Sequence, residues 1–524
     1  MTCARRIHGP FNRRPVAAPA ERVYGTGRPD AGTRDSSTVS SSKAGGLSWL
    51  RAGALLMLTG TFAGCGAINS VNNTLFGGSN APARGQVGYV TGFLGGAVAD
   101  EPRAAIVARD TLSAGGNAAD AAVALAFALS VTLPSRAGLG GGGACLAYTA
   151  RDKAVSEGTP EGVMFTPVAP PGGGGGADRP AAVPMLPRGL YLLHARYGRL
   201  PFESLVVPAE QLARFGTPVT RALVRDLSLV AGPLLADPNA RAVFAPSGTP
   251  LTEGQTLSQP DLAATLTQIR TQGVGDLYTG VLARRIEQAA PVAGAGQITV
   301  TDLRGALPSF AQAIVLPYRN DKVAFLPPPA DGGLAAAAGF SVLQSDPSAL
   351  GAAAARALAV AARWRAGGVD GQTVLATPDL PGAALPPLPA STSFVTLDKD
   401  GNAVACALSM DNLFGTGRVL PGLGILLAAS PAAVPPPLYA AAITWNDHVH
   451  AFRAAVGGSG QAGAPTAVAV GMLNALRTDR PMASEVPDPG RANVIECSRY
   501  MPSESASCAW ATDPRDPGLA VGGS

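Results

Sequence analysis

The sequence predicts a folded chain that mixes helices with strands, and three observations support this. Hydrophobic residues make up 47 % of the 524 residues, which is enough to bury a large core. Apolar residues recur at helical spacing from Ala105 to Leu112. A strand–turn–strand pattern is centred on residues 398–401, where Asp-Lys-Asp-Gly is a hairpin turn signal.

The composition excludes several classes of protein. Lys and Arg number 40 and Asp and Glu number 36, so the formal net charge is only +4. A nucleic-acid-binding surface needs a concentrated basic patch, and the charges are too few and too scattered to form one. No uncharged apolar run reaches the roughly 18 residues of a membrane span, which excludes a multi-pass membrane protein.

The N-terminal region predicts an exported protein. Residues 1–46 are interpreted as a disordered leader or a mis-assigned start, and residues 47–64 as a signal peptide with one positive charge and a short apolar run. Cys65 follows small residues, as in a bacterial lipobox, so we expect its lipidation; an ordinary signal peptide with an incidental cysteine is the alternative. Residues 65–87 are expected to be a flexible tether. This predicts a lipid-anchored protein on the periplasmic side of a membrane.

The cysteines suggest disulfide chemistry in place of a metal site. None of the six forms a CxxC pair or groups with the four histidines, so a zinc site is not expected. Cys497 and Cys508 lie in a polar tail and can form a disulfide in an exported protein. Cys145 and Cys406 lie in apolar runs and are expected to be buried core thiols.

The first third of the folded region predicts two helices and a strand. A helix begins near Glu101 and ends at the Gly-Gly-Asn of residues 115–117. A nearly all-apolar helix over 118–131 is expected in the core. The glycine run at 138–143 can in principle cradle phosphate, but it precedes a strand at 144–148 and lacks a following Gly-Lys-Ser/Thr, which favours close backbone packing.

The remainder predicts helices, a linker and then the hairpin. Helical patterns cover 261–270 and 276–288. A Pro/Ala/Leu-rich linker covers 381–389. Two strands follow, over 391–397 and 402–410.

The hairpin carries the most distinctive motif. Residues 391–404 read Ser-Thr-Ser-Phe-Val-Thr-Leu-Asp-Lys-Asp-Gly-Asn-Ala-Val. This resembles the nucleophile segment of the gamma-glutamyltranspeptidase family, which begins Thr-Thr-His and continues to Asp-Lys-Asp-Gly-Asn-Ala-Val. Other segments resemble the family in the same order, namely 115–122, 139–143, 260–266, 277–280, 327–333, 414–417, 424–427, 457–459 and 513–515. Their number and order identify a divergent member, with similarity over about 88–524.

The resemblance implies an α+β, four-layer αββα N-terminal-nucleophile (Ntn) hydrolase fold. Family members cleave themselves, which predicts a large fragment over 88–390 and a small fragment over 391–524, held together as a heterodimer. Counting back from Asp398 without a gap places the family's nucleophilic threonine at Ser391. Its Oγ would attack the Ala390 carbonyl, and the freed α-amino group would then be the base.

Two alternatives to this nucleophile stay open. Ser391 can be a plain edge-strand serine in an inactive relative. A register slip would make Thr392 the nucleophile, but it would turn that side chain to the opposite face of the strand.

The resemblance also assigns supporting residues. Ser409 corresponds to the family threonine that hydrogen-bonds the nucleophile. Gly457 and Gly458 correspond to a glycine turn whose backbone N–H groups form the oxyanion hole.

Substrate recognition departs from the family pattern. The arginine that binds the γ-glutamyl carboxylate corresponds to Thr166, and the substrate-facing asparagine to Asp411, so Thr166, Asp411 and Asn412 are the candidate substrate-binding residues. Losing a guanidinium removes the strongest contact for a carboxylate. Candidate replacements are Arg136, Arg188 and Arg418. The family's paired serines fall near Pro436 and Pro437, and its acidic residue within the apolar segment 428–433.

The resemblance therefore predicts an enzyme that transfers an acyl group from a γ-glutamyl or related amide through a seryl ester. A catalytically inactive, lipid-anchored binding protein and an acylase for a non-glutamyl amide are the alternatives. No metal, nucleotide or redox cofactor is implied. The expected partners are a small amide substrate, the two fragments of the chain itself and a membrane, but no nucleic acid.

Overall fold

The computed structural model describes residues 88, 91–150, 158–172, 177–382, 384–478, 481 and 486–523. These all belong to one compact unit, which spans Val71–Ser524. The predicted leader, signal peptide and tether, with Cys65, lie outside the described residues. Within the described part, no helix has the length and apolar character needed to cross a membrane.

Strands and helices alternate in blocks along the chain. The strands are β1 Gly95–Ala99, β2 Gly142–Tyr148, β3 Glu161–Phe165, β4 Thr217–Pro218, β5 Thr256–Leu257, β6 Ser309–Gln312, β7 Ile314–Tyr318, β8 Asp321–Phe325, β9 Ser391–Asp398, β10 Ala403–Ser409, β11 Ala440–Asn446, β12 Ala451–Ser459, β13 Arg491–Met501, β14 Cys508–Ala511 and β15 Leu519–Gly523. The helices are α1 Pro102–Ser113, α2 Ala118–Thr132, α3 Leu186–Tyr197, α4 Phe202–Phe215, α5 Arg221–Leu235, α6 Pro238–Phe244, α7 Pro260–Gln272, α8 Asp276–Thr279, α9 Val281–Val292, α10 Val300–Gly305, α11 Asp331–Ser345, α12 Leu350–Arg365, α13 Gly371–Ala376 and α14 Ala464–Thr478.

Two large sheets form the centre of the molecule. One has the strand order β15-β1-β9-β10-β2-β3-β6, and the other has the order β14-β13-β12-β11-β8-β7. Side chains such as Val395, Ile443 and Ile495 fill the space between the sheets. Helices α1 to α9 contribute to the core on the outer face of the first sheet, and α11, α12 and α14 cover the second. This is the four-layer αββα arrangement that the resemblance predicts.

The predicted buried helix is α2, and every residue in it is buried. Asn117 caps its first turn, and the Asp120 side chain accepts a hydrogen bond from the Asn117 N–H in return. Asp398 adds a tertiary cap, because its Oδ2 accepts the Ala118 N–H at 3.1 Å. The same carboxylate accepts the backbone N–H groups of Asp400 and Asn402. The Asp-Lys-Asp-Gly motif thus fixes both the hairpin turn and the position of α2.

The hairpin formed by β9 and β10 places its side chains alternately on two faces. Val395 and Leu397 point into the space between the sheets, whereas Phe394 contacts the helices. Ser391 and Ser409 are directly opposite each other at the open end of the hairpin. This register brings the two predicted catalytic serines together.

The structure corrects one prediction about the cysteines. Cys145 and Cys406 are buried, but they form a disulfide with a Cα–Cα distance of 4.1 Å instead of remaining thiols. They are directly opposite in the antiparallel pair β2–β10, where side chains on one face lie close enough to bond. Cys497 and Cys508 form the second disulfide, as predicted.

Candidate active site

Ser391 lines a cavity of about 170 Å³ between the start of β9 and the C-terminal tail. Its remaining lining residues are Arg136, Arg225, Asp226, Leu229, Ala390, Leu413, Gly460, Gln461, Pro489, Arg491 and Asp516. Ser391 itself is only 2 % exposed. The cavity therefore collects charged groups from distant parts of the sequence around the predicted nucleophile.

Ser409 contacts the bond that self-cleavage would break. Its Oγ donates a hydrogen bond to the Ala390 carbonyl oxygen at 2.8 Å. The same Oγ accepts the Asp411 N–H at 3.0 Å, which orients the hydroxyl hydrogen toward Ala390. A donor in this position polarises the carbonyl and stabilises negative charge that develops on its oxygen.

Thr392 does not share this cavity. It is fully buried on the opposite face of β9, where its Oγ1 donates to Asp100 Oδ2 at 3.0 Å. In this register, Ser391 and not Thr392 faces the cavity.

Asp100 is a structural residue of the site that sequence reasoning missed. Its Oδ2 accepts Ser393 N–H and Ser459 Oγ, and its Oδ1 accepts Asn493 Nδ2 at 2.6 Å. Because Ser459 and Asn493 belong to the second sheet, this carboxylate connects the two sheets beside Ser391. Burial, with a smaller contribution from the charge of Asp516, raises the pKa of Asp100.

The predicted glycine turn is shifted along the chain. Gly457 and Gly458 lie inside β12, where they pair with strands on both sides. A side chain at Gly457 would come within 3.1 Å of the Phe394 carbonyl, so the close approach of the two sheets explains this glycine. The turn begins at Gly460 and Gln461, which have φ of 102° and 50° and line the cavity. The prediction that Gly457 and Gly458 form a turn was wrong.

Asp411 is fully buried next to this centre. Tyr439 donates a hydrogen bond to its Oδ1 at 3.1 Å, whereas Oδ2 has no hydrogen-bond partner. Burial raises the pKa of Asp411 to about 7, and the Tyr439 hydrogen bond opposes this shift. The backbone of Asp411 has φ of 54°, a conformation that is uncommon outside glycine.

Of the three candidate replacement arginines, Arg136 alone lines the Ser391 cavity. It forms a bidentate pair with Asp226 at 2.7 and 2.8 Å. Arg188 donates to carbonyl groups at the end of α10 and covers the Tyr278 ring. Arg418 pairs with Asp178 at 2.8 Å. These last two arginines have structural contacts away from Ser391.

Two further arginines at the cavity had no signal in the sequence. Arg225 projects from α5 and pairs with Asp516, and Arg491 Nε lies 3.6 Å from the same carboxylate. The cavity lining therefore carries three guanidinium groups and two carboxylates. Asp516 directly follows the 513–515 segment that resembles the family, which was the one available hint.

The predicted substrate-binding residues lie outside this cavity. Asn412 lines a second cavity of about 420 Å³, which shares Leu413 with the first. That cavity is mainly apolar and includes Ala429, Ala433 and Val434. The first two belong to segment 428–433, where the family's acidic residue was expected, and Val434 directly follows it. Thr166 follows β3 and is not among the described residues that line either cavity. The carbonyls of Pro436 and Pro437 accept hydrogen bonds from Arg365 instead.

Comparisons with known sequences support the resemblance. Residues 104–358 match the family described as Gamma-glutamyltranspeptidase. Glutathione hydrolase proenzyme of Escherichia coli (strain K12) is 31 % identical over 365 residues, covering 61 % of this chain and 63 % of that protein. Acylase ACY 1 proenzyme of Pseudomonas sp. (strain SE83) is 32 % identical over 269 residues, covering 48 % and 47 %. The chain spans less than two thirds of the length of these relatives.

The fold has a known counterpart. The crystal structure of cephalosporin acylase from Bacillus halodurans superposes with a TM-score of 0.66 at 21 % identity, covering 85 % of this chain and 98 % of that chain. This likeness shows the shared N-terminal-nucleophile fold. The family match over residues 104–358 and the 31 % identity to the E. coli protein support a divergent member of the gamma-glutamyltranspeptidase family.

Proposed function

We propose that the protein is a self-cleaving hydrolase or transferase that acts on γ-glutamyl or related amides through a seryl ester. The observation that carries the proposal is the hydrogen bond from Ser409 Oγ to the Ala390 carbonyl, beside the buried Ser391. In that arrangement, the proposed nucleophile Ser391 directly follows the scissile Ala390 carbonyl, and Ser409 donates a hydrogen bond to that carbonyl.

Self-cleavage would proceed by an N→O acyl shift. Ser391 Oγ attacks the Ala390 carbonyl carbon, the C–N bond breaks, and the hydroxyl proton ends on the departing Ser391 nitrogen. Ser409 stabilises the oxyanion during this step. Water then hydrolyses the ester, which leaves a carboxylate on Ala390 and a free α-amino group on Ser391.

Turnover would use the same hydroxyl with the new α-amino group as base. Ser391 Oγ attacks the donor amide, the amine leaves with a proton, and the acyl ester passes to water or to another amine. Backbone N–H groups at the turn of Gly460 and Gln461 replace Gly457 and Gly458 as the proposed oxyanion donors. Their place before the N-terminus of α14 favours negative charge.

The charges around Ser391 support a donor with a carboxylate. Arg136, Arg225 and Arg491 line the cavity, where they pair with Asp226, Asp516 and Asp488, respectively. Guanidinium groups bind carboxylates well, so these residues are the proposed substitutes for the missing family arginine.

A specific observation favours the acylase as a second candidate function. The 420 Å³ cavity beyond Leu413 is mainly apolar, which suits an uncharged acyl group better than a γ-glutamyl group. Comparing a γ-glutamyl anilide with an anilide of an apolar acid would separate the two candidates.

We also propose that the protein is exported and lipid-anchored through Cys65. The two disulfides support export, because disulfides persist mainly in oxidising compartments. Membrane fractionation of the native chain beside Cys65→Ala tests the anchor. The proposal requires the variant to leave the membrane fraction.

The experiment that tests the enzyme function is the intact mass of the exported protein beside Ser391→Ala, measured after reduction of the disulfides. We expect two fragments, divided between Ala390 and Ser391, and one intact chain in the variant. An uncleaved chain in both samples would overturn the self-cleaving enzyme and favour the inactive binding protein.

A further inference from the structure

We infer that the Cys145–Cys406 disulfide joins the large and the small fragment covalently after self-cleavage. This inference rests on the proposed cleavage between Ala390 and Ser391. Cys145 lies before that bond and Cys406 after it, 261 residues apart. Cutting the chain therefore leaves one disulfide as a covalent connection between the two products.

The position of the pair in the sheet makes this connection a permanent one. Cys145 and Cys406 are both 0 % exposed and belong to the core that packs against α2. They lie at the middle of the β2–β10 ladder, with three residue pairs on each side. A reductant can therefore reach the sulfur atoms only when the sheet opens.

The link also fixes a strand of the active site. β10 ends at Ser409, three positions after Cys406, and Ser409 lies opposite both Gly142 and Ser391. β2 belongs to the large fragment, whereas β9 and β10 belong to the small one. The disulfide thus keeps the strand that carries Ser409 in register with the large fragment after the backbone is cut.

The second disulfide provides a matched control inside the same protein. Cys497 and Cys508 both follow the cleavage site, so they lie within the small fragment. Removing this pair cannot release one fragment from the other. Forming either bond oxidises two thiols, and a disulfide-bearing oxidant of the compartment takes up the two electrons and two protons as it becomes a dithiol.

Electrophoresis in denaturant, with and without reductant, tests the inference. The exported wild-type protein should migrate as one band of full length without reductant and as two bands with it. Cys145→Ser/Cys406→Ser should give two bands in both lanes, and Cys497→Ser/Cys508→Ser should behave like the wild type. Two bands for the wild type without reductant would overturn the covalent link.

A failure of self-cleavage gives a different result, namely one band in every lane. In that case, unreduced tryptic peptides decide between the outcomes, because residues 137–151 and 400–418 each contain one of the two cysteines. A mass equal to the linked pair supports the cross-strand bond, and two separate thiol peptides overturn it. The wild-type lanes also remain decisive if the double variant fails to fold.

Discussion

The two sides of the Ser391 cavity differ in how closely they follow the family. On the hairpin side, Ser391, Ser409 and the Ala390 carbonyl form a hydrogen-bonded arrangement that suits nucleophilic attack. On the opposite side, the family's substrate-binding positions are not part of the lining, because Thr166 lies outside the cavity and the expected acidic segment is apolar and lines the second cavity. The charged groups there are Arg136 and Arg225, which reach the cavity from other elements.

Under the proposed function, this difference means that reaction chemistry and substrate recognition are set by separate structural elements. The hairpin is held by main-chain pairing and by Asp100 and Asp398, so its geometry does not depend on the substrate-facing loops. The loops can then change their side chains without disturbing the nucleophile. Mutations on the hairpin side should affect processing, and mutations on the other side should affect substrate choice.

The largest expected effect is on the hairpin side. Ser409→Ala removes the donor to the Ala390 carbonyl, and losing one such donor typically slows a reaction by about 100- to 1,000-fold. We expect the half-time of conversion from full-length chain to fragments to lengthen by that factor, as measured by electrophoresis with reductant at intervals after synthesis. Ser409→Thr keeps the hydroxyl and is the matched control. Equal processing rates for the alanine and threonine variants would contradict this role.

The next effect tests how firmly the hairpin is held. Asp100→Ala removes the acceptor of the buried donors of Thr392, Ser393 and Ser459, and each unsatisfied group costs about 1–3 kcal/mol. Asn493 Nδ2 also loses Asp100 but keeps its bond to the Ser393 carbonyl. We expect the free energy of unfolding to fall by at least about 3 kcal/mol, since relief of the buried charge offsets part of the loss. Urea denaturation in the Ser391→Ala background measures this on a single chain.

Asp110→Ala is the control for that measurement, because the Asp110 side chain is exposed and its ion pair among the described residues is a surface pair with the neighbouring Arg109. The free energy of unfolding of the Asp110→Ala variant should differ from that of the parent protein by less than about 0.5 kcal/mol. A similar small change for Asp100→Ala would mean that the contacts of Asp100 do not hold the sheets together.

The difference between the hairpin side and the opposite side of the cavity also explains which parts of the site were predictable from the sequence. The hairpin could be read from the sequence because its motif runs without a gap from Ser391 to Val404, and strand alternation then decides which face each residue occupies. The turn after β12 was predicted too early in the chain. Three glycines lie among the four residues 457–460, and composition alone does not indicate which one ends the strand.

Contacts between distant residues could not be predicted. The Cys145–Cys406 bond depends on the register of β10 against β2, and an apolar sequence around a cysteine is equally compatible with a thiol. Arg136, Arg225 and Arg491 meet only when a loop, a helix and a strand end pack together. Asp100 had no signal, because its four partners come from β9, β12 and β13.

A smaller effect is expected for substrate recognition. Arg225→Gln should raise KM about tenfold for a γ-glutamyl anilide, the equivalent of about 1.4 kcal/mol, and leave a 4-aminobutyryl anilide unchanged, since the latter lacks the carboxylate. Arg221→Gln is the control, because it lies one turn earlier on α5 and pairs with Glu253 away from the cavity. An equal loss for both anilides would show that Arg225 does not recognise the carboxylate.

The smallest net effect is expected for a substitution of Asp411, a residue that changes how the free energy of unfolding depends on pH. Burial raises the pKa of Asp411 to about 7 in the folded protein, against a reference value of 3.8. The unfolded chain therefore ionises first as pH rises, and the wild type loses stability between about pH 4 and pH 7. Above pH 7 the loss levels off, because both states are then ionised.

Asp411→Asn removes this dependence while keeping an oxygen that accepts the Tyr439 hydrogen bond. The new amide N–H replaces an oxygen without a partner, at a cost of about 1–3 kcal/mol that does not vary with pH. Relative to the wild type, the variant should gain on the order of 3 kcal/mol between pH 4.5 and pH 8, measured by urea denaturation in the Ser391→Ala background. A difference in the free energy of unfolding that stays constant at all pH values would mean that the Asp411 carboxylate is solvated. The side of the site opposite the hairpin would then be more open to water than the hairpin side.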